Sequence, residues 1–293
     1  MIKYITLFLF LAVCAFAEEY FEPKTIEEEI TKTPRNPQTG IIKGAEPYFH
    51  AGNDTAVLLL HGFTGSPANI MPLCSAFSER GFTVDAPLLP GHGRYPNNLD
   101  TVKAEDYLNF AERRLKHLRK NKNFVIVCGF SLGGSISAGI AQRGAKVNRL
   151  VLIAPYFRIR YHWFYFLSPE KWTLFASRFV QHIRKTEPGK VNKESAYSKI
   201  RGYWYFSVSS VIETIELNRI VMEKAPKVKC PLFIIHSEND DVTSPSASRK
   251  FLRQTSSHEK KYREFQKSNH IILLDHESDQ AIEEILEWST KSL

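Results

Sequence analysis

Short apolar runs alternate along most of the chain with longer segments in which apolar residues recur at helical spacing. The runs are nearly continuous, which is typical of strands buried on both faces of a parallel sheet. The longer segments combine an apolar stripe with a charged side, as helices packed on such a sheet do. The pattern predicts an α/β fold with a mostly parallel central sheet and helices on both faces. The predicted strands are residues 55–60, 82–86, 124–128, 150–154, 231–236 and 261–265, and the predicted helices are residues 67–80, 101–120, 132–143, 246–254 and 276–291.

The alternation stops after residue 155 and resumes only at residue 231. The stretch between is rich in aromatic residues and has no convincing strand. We interpret residues 156–226 as a mainly helical insertion, called the cap segment below, and residues 51–155 and 227–293 as the two parts of one core. The aromatic side chains pack the cap segment onto the sheet, line an apolar pocket, or do both.

The first residues have the pattern of a secretory signal peptide. Lys3 precedes an uncharged run over residues 4–13, and Ala15-Phe16-Ala17 supplies a cleavage site. We expect residues 1–17 to be removed on export, which makes the protein secreted or periplasmic. A retained anchor and a lipid anchor at Cys14 are the alternatives. Residues 18–50 are predicted to form a loosely ordered arm.

Charge is concentrated in one part of the chain. The formal net charge is +8, and residues 156–201 carry ten Lys or Arg and three Glu. This basic segment is either a solvated surface or one that attracts anionic substrates or an anionic membrane. An exported chain is a poor candidate for nucleic-acid binding, so we expect no nucleic-acid partner. Peripheral contact with a lipid interface through the cap segment is the alternative to a solvated surface.

Cysteine usage excludes a disulfide framework. Cleavage leaves Cys74, Cys128 and Cys230, an odd number at wide spacing. A single bridge between Cys74 and Cys230 stays open at this point. No zinc-type ligand spacing occurs, so we expect neither a metal nor a cofactor.

The strongest chemical signal is the pentapeptide Gly129-Phe130-Ser131-Leu132-Gly133, directly after a predicted strand. A G-x-S-x-G sequence places its Ser on a strained turn between strand and helix, with the hydroxyl exposed at the end of the sheet. The two glycines remove Cβ atoms that would collide where strand and helix pass. Ser131 is therefore the candidate nucleophile, and the N–H of Leu132 is a candidate donor to an oxyanion.

A serine nucleophile needs a base, and the base needs a carboxylate that orients it. In this setting the chain order is Ser, acid, His. We choose His270, in the loop after a strand, over His236 on a strand end and His276 at a helix start. We choose Asp240 over Asp241 because it comes earlier off its strand.

The loop after the first predicted core strand reads His61-Gly62-Phe63-Thr64-Gly65. We assign the N–H of Phe63 as the second oxyanion donor. A plain glycine-rich turn between strand and helix is the alternative.

Four segments together resemble the α/β-hydrolase superfamily, and within it the bacterial carboxylesterase and monoacylglycerol-lipase-like group. They are residues 58–65, 87–93, 129–134 and 240–242. The resemblance covers roughly residues 56–289 and implies a triad of Ser131, Asp240 and His270, with Phe63 and Leu132 as oxyanion donors. The family's usual Gly before the catalytic His is Asn269 here, a mild departure since Asn tolerates positive φ. The loop over residues 91–93 is interpreted as structural, lining the entrance.

These residues predict an exported serine esterase that acts through an acyl-enzyme on short- to medium-chain carboxylic esters or monoacylglycerols. A peptidase or thioesterase with the same triad is the first alternative. A peptidase is disfavoured because the cap segment has few acids to bind a substrate amine. A non-catalytic ligand-binding protein on the same scaffold is the second alternative.

Overall fold

The computed structural model describes residues 23–160, 171, 173–174, 177–178 and 181–291. The predicted signal peptide, residues 1–17, lies outside the described residues. So do many of the aromatic residues of the cap segment, between positions 161 and 180.

A seven-stranded sheet forms the centre of the molecule. The strands of the protein are β1 (Tyr48–His50), β2 (Thr55–Leu60), β3 (Thr83–Ala86), β4 (Phe124–Phe130), β5 (Arg149–Ile153), β6 (His182–Arg184), β7 (Tyr205–Ser207), β8 (Leu232–Ser237) and β9 (Lys260–Phe265). The sheet order is β1-β3-β2-β4-β5-β8-β9, with only β1 antiparallel to its neighbour. This is the mostly parallel sheet that the apolar runs predict.

Helices cover both faces of this sheet. They are α1 (Pro23–Lys32), α2 (Met71–Glu79), α3 (Ala104–Arg119), α4 (Leu132–Gln142), α5 (Val208–Glu223), α6 (Pro245–Gln254) and α7 (Ser278–Thr290). Short 3₁₀ turns cover Pro67–Ile70, Pro96–Leu99, Glu194–Lys199, Ala225–Lys227 and Ile272–Leu274. Alternate residues of β2 enter two separate cores, with Leu58 under α3 to α6 and Leu59 under α2 and α7.

The cap segment contributes α5 and a two-stranded sheet of its own. Strands β6 and β7 pair antiparallel, so the expectation of no strand in this segment is wrong. Each strand has only three residues. A pattern of period two cannot be recognised over so short a run.

The predicted boundary between the arm and the core also differs from the structure. Strand β1 pairs with β3, so the sheet begins inside the range predicted as an arm. Ile42 and Ala45 of the same range are buried beside Leu99 and Tyr203. The arm was predicted from its average composition, which does not indicate that these few apolar residues pack against other buried side chains.

The predicted helix over residues 67–80 is divided into a 3₁₀ turn and α2. Ser66 precedes the 3₁₀ turn without capping it by its side chain, and its hydroxyl donates to the carbonyl of Arg201 in the cap segment, at 3.0 Å.

Cys74, Cys128 and Cys230 are free thiols. Cys74 lies in the core on one face of the sheet, and Cys230 packs against the core on the other face. This separation excludes a bridge between them in this fold. Across the part of the chain that the structure describes, no helix is long and apolar enough to cross a membrane.

Candidate active site

The turn from β4 into α4 holds Ser131 in a strained conformation, with φ 53° and ψ −117°. A Cβ at Gly129 would lie 2.2 Å from the carbonyl oxygen of Gly133, and a Cβ at Gly133 would lie 2.1 Å from that of Leu60. Only glycine fits at either position. The Ser131 N–H donates to the carbonyl of Ile153 at 2.9 Å, which ties the turn to β5. Strain at a position held from both sides is typical of a functional residue.

The structure brings Ser131, His270 and Asp240 together at the carboxyl ends of three strands. The Ser131 Oγ lies 3.0 Å from His270 Nε2, and His270 Nδ1 lies 2.8 Å from Asp240 Oδ2. All three side chains are buried. The hydroxyl, imidazole and carboxylate therefore form one continuous hydrogen-bonded chain.

Asp240 is held by its own loop as well as by His270. Its Oδ1 accepts the N–H groups of Val242 and Thr243, both at 2.8 Å, and its Oδ2 accepts the Thr243 hydroxyl at 2.8 Å. Burial raises the pKa of this carboxyl, but the charge and hydrogen bonds of His270 and His236 outweigh it and hold the pKa well below its usual range. The side chain is therefore a carboxylate at neutral pH.

The rival candidates occupy other places. His236 lies behind the acid, with Nε2 3.1 Å from Asp240 Oδ2 and Nδ1 2.9 Å from Ser248 Oγ. Asp241 binds the side chain of Asn269, which donates to Asp241 Oδ2 at 2.9 Å. The side chain of His276 is exposed.

The loop after β2 runs beside the elbow, because Leu60 pairs with Gly129 in the sheet. A Cβ at Gly62 would lie 3.1 Å from Ser131 Cβ, so the loop backbone passes close to the candidate nucleophile. Neither the N–H of Phe63 nor that of Leu132 donates a hydrogen bond to another of the described residues. Both amides are therefore unpaired among the described residues, as an oxyanion donor must be before substrate binds.

His92 has a role that the sequence did not reveal. It is buried rather than lining an entrance, and its Nε2 accepts the Thr64 N–H at 3.1 Å. Its Nδ1 donates to the carbonyl of Pro90 at 2.8 Å. Burial lowers the pKa of His92 to about 4, which keeps the ring neutral and able to accept.

Asp275 is the other residue that sequence reasoning missed. Its buried carboxylate accepts the N–H groups of Asn269 and His276 in the loop of His270, at 2.7 and 2.8 Å. It also accepts those of Asn192 and Lys193 in the cap segment, at 2.7 and 2.9 Å. No local pattern indicates such a role, since two of the four donors are more than 80 positions away.

A cavity of about 180 Å³ lies where the cap segment begins. Its lining includes Tyr156 and Phe157 together with residues of α5. The Tyr156 N–H donates to the carbonyl of Ser131 at 3.0 Å, but Ser131, Asp240 and His270 do not line the cavity.

Residues 51–277 match the family described as serine aminopeptidase S33. The chain is 26% identical over 254 residues to a thermostable monoacylglycerol lipase of Bacillus sp. strain H-257, covering 87% of this chain and 98% of the relative. It is 24% identical over 247 residues to a carboxylesterase of Bacillus subtilis strain 168, covering 84% and 96%.

Solved structures show the same architecture. A metagenome-derived lipolytic enzyme, from work on LipS and LipT, superposes with a TM-score of 0.77 at 26% identity, covering 86% of this chain and 99% of that one. The monoacylglycerol lipase of Paleococcus ferrophilus superposes with a TM-score of 0.71 at 19% identity, covering 83% and 98%. The fold is therefore that of the α/β-hydrolases.

Proposed function

We propose that this chain, which belongs to the serine aminopeptidase S33 family, acts as an exported serine esterase with Ser131, Asp240 and His270 as its catalytic triad. Relatives named monoacylglycerol lipase and carboxylesterase match over nearly their whole length, so the chain is a lipase- or esterase-type α/β-hydrolase. The observation that carries the assignment of roles is the hydrogen-bonded chain from Ser131 Oγ through His270 to Asp240.

The proposed reaction begins with attack of Ser131 Oγ on the ester carbonyl, while His270 Nε2 takes the hydroxyl proton. The carbonyl oxygen becomes an oxyanion and accepts the N–H groups of Phe63 and Leu132. His270 then gives its proton to the leaving alcohol, and the acyl group stays on Ser131. Water attacks this acyl-enzyme with His270 again as the base, and the carboxylic acid leaves. Asp240 stays ionised throughout and orients the imidazole, which its low pKa allows.

An ester substrate is favoured over an amide by the curated relatives, although the family description names an aminopeptidase. The direct test compares p-nitrophenyl esters, from acetate to palmitate, with an aminoacyl p-nitroanilide. We expect a maximum of kcat/KM at short to medium acyl chains and no turnover of the anilide. Turnover of the anilide alone would support the peptidase alternative. A thioester substrate turned over in preference to all the esters would support the thioesterase alternative.

Export remains a proposal that rests on Lys3, the uncharged run over residues 4–13 and Ala15-Phe16-Ala17. The test is to express the full chain in a bacterial host and to determine the N-terminus of the protein recovered outside the cytoplasm. We expect it to begin at Glu18. A start at Cys14 with an attached lipid would replace the proposal with a lipoprotein.

Contact with a lipid interface is proposed for the cap segment. Leu174 is 52% exposed, and the described residues Lys171 and Arg178 near it in sequence are also exposed. We expect the protein to sediment with anionic vesicles and to be released by high salt, with weaker binding in Leu174→Ser. Phe49→Ser is the matched control, because Phe49 is an exposed apolar residue of β1. Equal binding by wild type and Leu174→Ser would contradict the proposal.

A further inference from the structure

Thr64 is the residue at which the cap segment meets the loop of the proposed oxyanion donor Phe63. Its side-chain oxygen lies 3.0 Å from the Lys185 Nζ, and its carbonyl accepts the Tyr203 N–H at 2.8 Å. Its own N–H donates to His92 Nε2 at 3.1 Å. A Cβ at Gly202 would lie 2.2 Å from the Thr64 carbonyl oxygen, so the cap backbone packs directly on this residue. Of the three hydrogen bonds that Thr64 makes with described residues, two therefore come from the cap segment.

The backbone of Thr64 needs this support. Its φ is +57°, in the left-handed region that β-branched residues rarely adopt. Such a conformation persists only where the surrounding contacts over-determine it. On the other side of Phe63, the backbone of Gly62 is packed against Phe130 and Ser131. Phe63 thus lies between two residues that packing and hydrogen bonds hold in place, which limits how far its backbone can turn.

Lys185 is itself held in place. Its Nζ donates to the carbonyl of Pro188 at 3.0 Å as well as to the Thr64 hydroxyl, and its N–H donates to the carbonyl of Trp204 at 2.7 Å. The carbonyl of Lys190, a few residues further along, accepts the N–H of Ile271 at 3.0 Å, next to His270. One stretch of the cap segment therefore reaches the loops on both sides of Ser131.

We propose that the cap segment completes the oxyanion hole, with Lys185 as a positioning residue that holds the Phe63 N–H in place through Thr64. This inference rests on the proposed function, because it assigns a support to the donor proposed there. Lys185 acts through Thr64 and need not touch the substrate.

The effect should appear in the rate rather than in substrate affinity. The oxyanion exists in the transition state and not in the bound ester, so a misplaced donor lowers kcat with little change in KM. Loss of a whole oxyanion donor costs about 10²- to 10³-fold in kcat, and loosening one costs less. We expect about a tenfold loss of kcat.

The test compares Lys185→Met, which keeps the stem and removes the ammonium, with Lys185→Arg, which restores a charged donor. Arg184→Met is the matched control, since the neighbouring Arg184 is exposed. Each variant is assayed for kcat and KM on p-nitrophenyl butyrate and for affinity toward a trifluoromethyl ketone that forms a tetrahedral adduct.

Lys185→Met should lose about tenfold in both kcat and ketone affinity, with KM within about twofold of wild type. Lys185→Arg should recover most of the loss, and Arg184→Met should match wild type. Unchanged kcat in Lys185→Met, or an equal loss in Arg184→Met, would overturn the inference. A rise in KM alone would also overturn it, because it would place Lys185 in substrate binding.

Thr64→Val provides a second route if Lys185→Met does not fold, because it removes the hydroxyl and keeps the branched side chain. Its loss of kcat should equal that of Lys185→Met, and the double variant should lose no more than either alone. Additive losses of kcat in the double variant would contradict the proposal that Lys185 acts through Thr64. Ser131→Ala separates this inference from the proposed function. If Ser131→Ala is inactive and Lys185→Met is fully active, the positioning role of Lys185 is refuted and the proposed triad stands. If Ser131→Ala is active, the proposed triad itself is refuted.

Discussion

At the scale of single residues, hydrogen bonds between residues far apart in the sequence hold the candidate site together. The meeting of Ser131, Asp240 and His270, which we propose as the triad, could be predicted from sequence because each follows a strand in a fixed order, and the parallel sheet brings strand ends together. The function of His92 could not be predicted, since its partner Thr64 is 28 positions away and has an unusual backbone conformation. The sequence alone does not indicate which N–H group a buried histidine ring accepts.

His92 also makes stability depend on pH. Its pKa is about 4 in the folded chain against an ordinary value of 6.5, so between these values the unfolded chain binds a proton that the folded chain does not. The stability that neutral His92 contributes is fully present above about pH 6.5. About 3 kcal/mol of it is lost as the pH falls toward 4. His92→Gln, which keeps an acceptor but does not titrate, should lose less stability over this range. Urea unfolding of both proteins at several pH values measures the difference, and parallel curves would contradict it.

At the scale of elements, the crossing of β4, α4 and β2 depends on close backbone contact. The buried parallel strands could be predicted because they are continuous apolar runs, whereas β6 and β7 are too short to leave a pattern. The close crossing at the elbow could be predicted from Gly129 and Gly133, because a Cβ at either position would collide with the backbone of another residue.

Gly133→Ala tests this crossing, because the added Cβ would lie 2.1 Å from the Leu60 carbonyl oxygen. We expect a loss of more than about 3 kcal/mol or failure to fold, since backbone cannot move aside cheaply. Gly139→Ala in the same helix is the control, because its Cβ would meet side chains and no backbone, with the nearest atom, a terminal methyl of Leu108, at 2.5 Å. Thermal unfolding should separate the two variants clearly. Similar melting temperatures would show that the crossing is looser than described.

At the scale of the whole molecule, the cap segment is tied to both loops of the site rather than resting on the sheet alone. Asp275 makes one of these ties, because its carboxylate joins Asn192 and Lys193 to the loop of His270. Sequence reasoning identified the cap segment from the break in alternation. The ties themselves depend on tertiary contacts between distant residues, so they could not be read from any local pattern.

Asp275→Asn should therefore loosen the cap segment and the loop of His270 together. Replacing one acceptor oxygen by an amide leaves buried N–H donors unpaired, so we expect faster limited proteolysis within residues 156–226 and about a tenfold lower kcat. Asp279→Asn is the control, since Asp279 is an exposed acid in the first turn of α7. If the two variants behave alike, Asp275 does not couple the cap segment to the site.

Ser131 is proposed to carry the acyl group, and ester hydrolysis by Ser131→Ala tests this most directly. The control is Ser137→Ala in the same helix, because the buried Ser137 hydroxyl has no hydrogen-bond partner among the described residues. We predict that kcat/KM on p-nitrophenyl butyrate falls by at least about 10³-fold in Ser131→Ala and stays near wild type in Ser137→Ala. A folded Ser131→Ala that retains activity within tenfold of wild type would contradict the account.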